Sequence, residues 1–176
     1  MKNTTSNNRR TDKVFQLFIG VLLIVSATSL AIAGMAPINN ALPLYSTQYD
    51  PQRDAFKDGA DAIALATRTN RRILIELGGD WCLWCHKMDA FFDKNPDIKQ
   101  KLHETFVMLK INVSDANSNE DFLKSFPKPL GYPHMYVSEY NGSVLWSQDT
   151  AEFLKNGQYT RESFLAFFER WNINNK

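Results

Sequence analysis

The sequence predicts an α/β domain, a central mixed β-sheet flanked by helices on both faces. Two observations lead there. Short apolar runs alternate with helix-spaced stripes, in the order helix, strand, helix, strand, helix, strand, strand, helix. Strands joined through helices become parallel neighbours, whereas the last two flank Asn141-Gly142, a hairpin signal that adds an antiparallel edge.

Taken in order, residues 34–51 hold Pro37, Asn39, Asn40 and Pro43 without a period. They read as a lead-in to a domain over 52–176. From Asp54 to Thr69, the positions Phe56, Ala60, Ile63, Ala64 and Thr67 recur at helical spacing. "RILIELG", 72–78, is a short, mostly apolar run ended by Gly78-Gly79, hence a buried strand. A helix follows Cys82 with Cys85, Met88, Phe91 and Phe92 on one side, and it breaks at Asn95-Pro96. There Asn95 caps a new helix with Pro96 at its first position, and Ile98 and Leu102 continue an apolar face. "FVMLKINVS" alternates Val107, Leu109, Ile111 and Val113 against Met108, Lys110 and Asn112, a strand. A short helix over 118–126 leads through "PKPLGYP" to strands at 134–139 and 143–147. Thr160 then caps a helix whose stripe is Phe164, Leu165, Phe168 and Trp171.

The first 33 residues differ from all of this. Residues 1–13 are polar and carry Lys2, Arg9, Arg10 and Lys13 against Asp12, and "VFQLFIGVLLIVSATSLAIA" follows, ending in Ala31-Ile32-Ala33. A basic stretch, an apolar stretch and a small-x-small site describe an export signal. The apolar stretch is also near the ~20 residues that span a bilayer, so an uncleaved signal anchor is the rival reading. Both place the remainder outside the cytoplasm, periplasmic or otherwise exported, tethered to the inner membrane if the segment stays. The whole chain has 20 basic and 19 acidic residues; without residues 1–33 the remainder carries a net charge of −2. No basic block survives to neutralise a row of phosphates, which excludes nucleic acid as the expected partner.

Both cysteines lie in "GGDWCLWCHKM", 78–88, where the predicted strand gives way to a helix. Bridging so short a loop stabilises by only roughly 2 kcal/mol, against about 4.7 for a 100-residue loop, so the pair is placed for chemistry. A helix N-terminus offers unpaired N–H groups and a positive dipole end, which stabilise a thiolate. Lowering a thiol from ~8.5 to ~7 raises the thiolate fraction at neutral pH from about 3% to about half. On this reading Cys82 is the nucleophile, and Cys85, one turn further in, is the resolving thiol. Two alternatives share the residues. Cys82-Leu83-Trp84-Cys85-His86 fits c-type haem attachment, with His103, His134 or a Met as distal ligand. A redox-inert module, or a copper carrier using Cys82, Cys85 and His86, is the other.

Over residues 52–174 the sequence resembles the thioredoxin superfamily. The resemblance rests on "WCLWC" at 81–85 after a strand, "KINV" at 110–113 and Gly131-Tyr132-Pro133 before the hairpin. It is closest in look to small exported thioredoxin-like proteins and the periplasmic thioredoxin-like domains of membrane disulfide reductases. It implies a thioredoxin-like fold and thiol-disulfide exchange with protein thiols and disulfides, with a membrane electron donor as a candidate partner and no cofactor or metal. The departure is Leu83-Trp84 where thioredoxin has Gly-Pro, which bears on the redox potential. The absence of a basic or His residue between the cysteines leans towards a reductant or exchange protein. By resemblance, Pro133 matches the family's cis-proline and Tyr132 would pair its backbone with a substrate strand, while Trp81 would cover the dithiol. Glu76 stands six residues before Cys82, where thioredoxins carry a buried aspartate. Burial would raise its pKa and let it exchange the proton of Cys85; the competing role is a strand residue that reaches solvent or Lys110.

Overall fold

Asp54 opens the first helix. Its carboxylate accepts the amide hydrogens of Phe56 and Lys57, two of the donors that a helix start leaves unpaired, and Asn70 ends the helix with φ 49°. The computed structural model describes residues 41–173, within the unit that begins at Asn40; the expected signal or anchor segment of 1–33 lies outside them. The elements are α1 (Ala55–Thr69), β1 (Arg72–Gly78), α2 (Leu83–Lys94), α3 (Pro96–Thr105), β2 (Phe106–Asn112), α4 (Glu120–Leu123), β3 (His134–Ser138), β4 (Val144–Asp149), β5 (Leu154–Lys155), β6 (Gln158–Tyr159) and α5 (Arg161–Trp171).

The main sheet runs β2-β1-β3-β4. β1 and β2, joined by the α2–α3 crossover, are parallel, and β3 pairs antiparallel with both β1 and β4. This is the mixed, thioredoxin-like α/β architecture expected. One face meets α1 through Ile73, Ile75, Leu77, Val107, Leu109, Ile111 and Tyr136. The other meets α2, α3 and α5 through Leu74, Met108, Met135 and Val137, under an aromatic layer of Phe92, Phe106, Phe164, Phe167 and Phe168. Among the described residues, no helix is long and apolar enough to cross a membrane.

Three local patterns differ from the sequence reading. α1 buries Ala55, Gly59, Ala62 and Ala66, not the Phe56/Ala60/Ala64 stripe. Small side chains let the helix lie close to the sheet, and Phe56 instead sits edge-on to Phe122 with ring centroids 5.3 Å apart. β2 is buried along its whole length, Met108, Lys110 and Asn112 included, because helices cover both faces. In α5, Phe167 is buried where Leu165 was expected, since two turns of the helix meet Phe106 and Phe153. The β5–β6 hairpin and the 3-10 turns Leu44–Ser46 and Thr150–Phe153 carry no periodicity that a short window could detect. The turn at Leu44–Ser46 matters most. It buries Tyr45 and ties Ser46 Oγ to the Met108 carbonyl at 2.6 Å, so part of the lead-in lies against the sheet.

Candidate functional site

Cys82 is the N-cap of α2. Its Sγ accepts the Cys85 amide hydrogen at 3.2 Å, and its carbonyl accepts that of His86. Cysteine thus fills the place usually taken by Ser, Thr or Asp, and a thiolate there would receive a backbone N–H directly. The first turn holds no acidic residue that would oppose an anion. The two sulfurs are joined in a disulfide, with 5.2 Å between the α-carbons. Both cysteines are buried.

Beneath the disulfide lies a polar cluster. Glu76 is 1% exposed. Its carboxylate accepts a short hydrogen bond from the Tyr49 hydroxyl and lies 3.5 Å from Lys110 Nζ. The parallel register sets Glu76 directly opposite Lys110. Lys110 donates to both carboxylate oxygens of Asp89 at 2.7 and 2.9 Å, and its ammonium stands 4.7 Å from the centre of the Tyr49 ring. Burial raises the Glu76 pKa above the usual carboxylate range; Lys110 opposes this, and Asp89 adds to it. Burial pulls the Lys110 pKa down, but the Glu76 and Asp89 carboxylates outweigh it and hold the pKa above the usual lysine value. A cavity of about 190 Å³ connects this cluster with solvent, Glu76 and Lys110 on its inner wall, Asp89 and Lys99 at its mouth.

Tyr49 closes the space between carboxylate and sulfur. With Cys82 and Cys85 it forms a separate buried cluster, with Tyr132 packed against it. A β-carbon on Gly78 would stand 2.5 Å from Cys85 Sγ and 2.7 Å from the Tyr49 hydroxyl oxygen, so only glycine at this strand end lets the two approach. Burial, then the Glu76 charge, holds the Tyr49 phenol well above the usual tyrosine range.

At the surface, Trp81 is exposed. Its indole nitrogen donates to the Val113 carbonyl at 2.6 Å, and its ring meets Tyr132 edge-on at 5.3 Å. The Tyr132–Pro133 bond is cis, as the resemblance implies, and the Pro133 carbonyl accepts from Thr150 Oγ1 at 2.5 Å. A groove of about 340 Å³ runs beside this bond, walled by Trp84, Leu130, Tyr132, Leu154 and Tyr159. Leu83 projects into solvent. His86 bonds the Asp80 carbonyl through Nε2 at 2.7 Å, and His134 is buried with Nε2 2.8 Å from Ser147 Oγ. Among the described residues, no three His, Cys, Asp or Glu side chains are grouped to hold a metal ion.

Comparison with known proteins agrees with this geometry. A family model described as thioredoxin-like matches residues 54–138. Residues 54–138 therefore carry a thioredoxin-like domain. The thiol:disulfide interchange protein DsbD of Actinobacillus pleuropneumoniae is 23% identical over 95 residues, which are 54% of this chain and 16% of that one. The chain therefore spans about a sixth of the length of that relative. A disulphide isomerase from Xylella fastidiosa superposes with a TM-score of 0.57 at 24% identity, covering 74% of this chain and 96% of that one. The oxidised C-terminal domain of DsbD from Neisseria meningitidis does so with a TM-score of 0.52 at 18% identity, covering 67% and 96%.

In this thioredoxin-like chain the structure brings Cys82, Cys85, Trp81, Tyr132 and Pro133 to one end of the sheet, with Glu76 one layer below. Sequence reasoning missed Tyr49 and Asp89. Asp89 had a local signal, since it lies one helical turn after Cys85. Tyr49 had none, because it arrives from a stretch with no period.

Proposed function

We propose that this protein works outside the cytoplasm as a reductant or exchange protein for disulfides in exported proteins. The observation that carries the proposal is a disulfide whose first cysteine caps a helix above a buried carboxylate, Glu76, whose pKa burial raises. In the reduced protein the Cys82 thiolate attacks a substrate disulfide, forming a mixed disulfide and expelling one substrate thiolate. Cys85 gives up its proton to the Glu76 cluster, and its thiolate attacks Cys82 Sγ. The bond from Cys82 to substrate breaks, the second substrate thiolate leaves, and the Cys82–Cys85 disulfide closes. Two electrons pass from the dithiol to the substrate. A membrane electron donor would return them; the likeness to a thiol:disulfide interchange protein supports the exchange itself. Trp81, Tyr132 and Pro133 would hold the substrate chain along the groove beside the disulfide. The basic-then-apolar segment of 1–33 supports export, as leader or anchor.

The test uses single cysteine variants. Cys82→Ser should abolish reduction of a protein disulfide, while Cys85→Ser should accumulate mixed disulfides visible on non-reducing gels. Greater alkylation of Cys85 than of Cys82 in the reduced protein would reverse the two roles. Acid trapping of thiols in cells reads the direction: a mainly reduced pair is expected, and a mainly oxidised pair that oxidises reduced substrate would overturn it.

A further inference from the structure

The carboxylate at the heart of this mechanism does not bond to a cysteine. Its short hydrogen bond comes from Tyr49, whose ring packs with Cys82 and Cys85 and whose hydroxyl lies beside the strand end that Cys85 approaches. Tyr49 is buried, comes from the segment ahead of α1, and is flanked by turns tied to the rest of the fold. Ser46 anchors the preceding turn to β2 through the Met108 carbonyl, and Asn117 anchors the following one through the Pro51 carbonyl at 2.9 Å. A phenol placed only to fill space would need no donor aimed at a buried carboxylate, and a carboxylate placed only to pair Lys110 would need no phenol.

We propose that Tyr49 is the proton carrier between Cys85 and Glu76. The proposal rests on the exchange mechanism above and assigns the step that mechanism leaves open. The Tyr49 hydroxyl gives its proton to the Glu76 carboxylate as it takes the proton of the Cys85 thiol. Cys85 becomes a thiolate, Glu76 a carboxylic acid, and Tyr49 is a neutral phenol before and after. No tyrosinate persists, which fits a buried site where an isolated phenolate is costly. When electrons return to the disulfide, the same transfer runs backwards. The groups that face Tyr49 and set the pH range are Glu76 on β1, Lys110 on β2, Asp89 on α2 and Tyr159 on β6. Gly78 is the steric condition for the carrier, since a larger residue would occupy the gap across which the proton moves.

The test compares Tyr49→Phe, Glu76→Gln and the double variant in the full-length protein, with single-turnover kinetics of mixed-disulfide formation and resolution measured separately. Tyr49→Phe keeps the ring and its contact with Lys110, so folding is expected to survive and is checked by circular dichroism. Resolution should slow by about 10- to 100-fold, the low end of general acid–base contributions, with attack by Cys82 little changed. Because the two groups act in series, the double variant should be no slower than the slower single variant. Glu76 should titrate higher in Tyr49→Phe, followed by its carboxyl stretch in the infrared, because the carboxylate has lost a donor. If Glu76→Gln slows resolution and Tyr49→Phe does not, the proton passes by another route and Tyr49 is no carrier, although the carboxylate keeps its role. If neither variant slows resolution, the relay itself fails. Equal slowing of attack and resolution by Tyr49→Phe would make the residue a structural support and overturn the proposal.

Discussion

The two faces of the central sheet use the same strands, one residue out of phase, and differ completely. On the α1 face, β1 presents Ile73, Ile75 and Leu77, opposite Val107, Leu109 and Ile111 of β2, so the whole surface is apolar. On the other face the series is Leu74, Glu76, Gly78 opposite Met108, Lys110 and Asn112. Apolar at the end far from the disulfide, it becomes charged below it and then empty where Tyr49 and Cys85 meet. One face stabilises the fold, each large side chain contributing about 1.5–3 kcal/mol by leaving water. The other gives up part of that contribution to hold a carboxylate, and an ion pair so deeply buried rarely offsets its own desolvation. The disulfide and the buried charges share one quadrant of the sheet, where Glu76 and Asp89 both pair with Lys110.

Exchanging the character of two adjacent residues tests this contrast most strongly. Ile75→Glu would place a carboxylate on the apolar face with no cation, and should destabilise by about 3–5 kcal/mol or prevent folding at neutral pH. Glu76→Leu should leave the protein folded, within about 2 kcal/mol of the parent in either direction, because Lys110 keeps Asp89. Denaturant midpoints read both. Similar losses from the two variants would mean that the faces are energetically alike.

Glu76→Gln sharpens the comparison through pH. The Glu76 pKa is raised in the folded state, so folding favours its protonated form. Its favourable contribution is complete below the unfolded value and is lost as pH rises through the folded one. Glu76→Gln removes that loss. The variant should be more stable than the parent at neutral pH and show a flatter stability profile above pH ~4.5. Its mixed disulfides should nonetheless resolve about 10- to 100-fold more slowly. A profile unchanged by the substitution would remove Glu76 from the list of groups that titrate with folding.

The smallest effect is expected at the mouth of the cavity. Asp89→Asn removes a charge that raises the Glu76 pKa, and frees Lys110 to serve Glu76 alone, so the Glu76 titration should move down. Activity near neutral pH should change by no more than about fivefold, the scale of a partly exposed ion pair. An upward movement would show that Asp89 acts on Glu76 chiefly by fixing the position of Lys110.

Much of this protein is legible in short windows of sequence. Thr160 caps α5 as expected, its Oγ1 receiving the Ser163 amide, while the cap of α1 by Asp54 sits where the helical stripe begins. Asn95-Pro96 divides α2 from α3, and "WCLWC" falls where β1 hands over to a helix. These are local events, set by the backbone needs of one turn or by a period of two to four residues. The two faces of β1 are legible too, once its strand is assigned, because alternation fixes which residues share a side. Which stripe of α1 is buried was not legible. Hydrophobic spacing favoured Phe56 and Ala60, but the distance to the sheet required the small residues Ala55, Gly59, Ala62 and Ala66. The site divides in the same way. The cysteines and the buried carboxylate announce themselves within one ten-residue stretch, 76–85. Lys110 reaches Glu76 only through the parallel register of β1 and β2, and Tyr49 only because the segment ahead of α1 folds back over a strand end kept clear by glycine. Lys110 is legible in the sequence as one partner for Glu76, but the register that brings them together, like the placement of Tyr49, is decided by the pairing of distant segments.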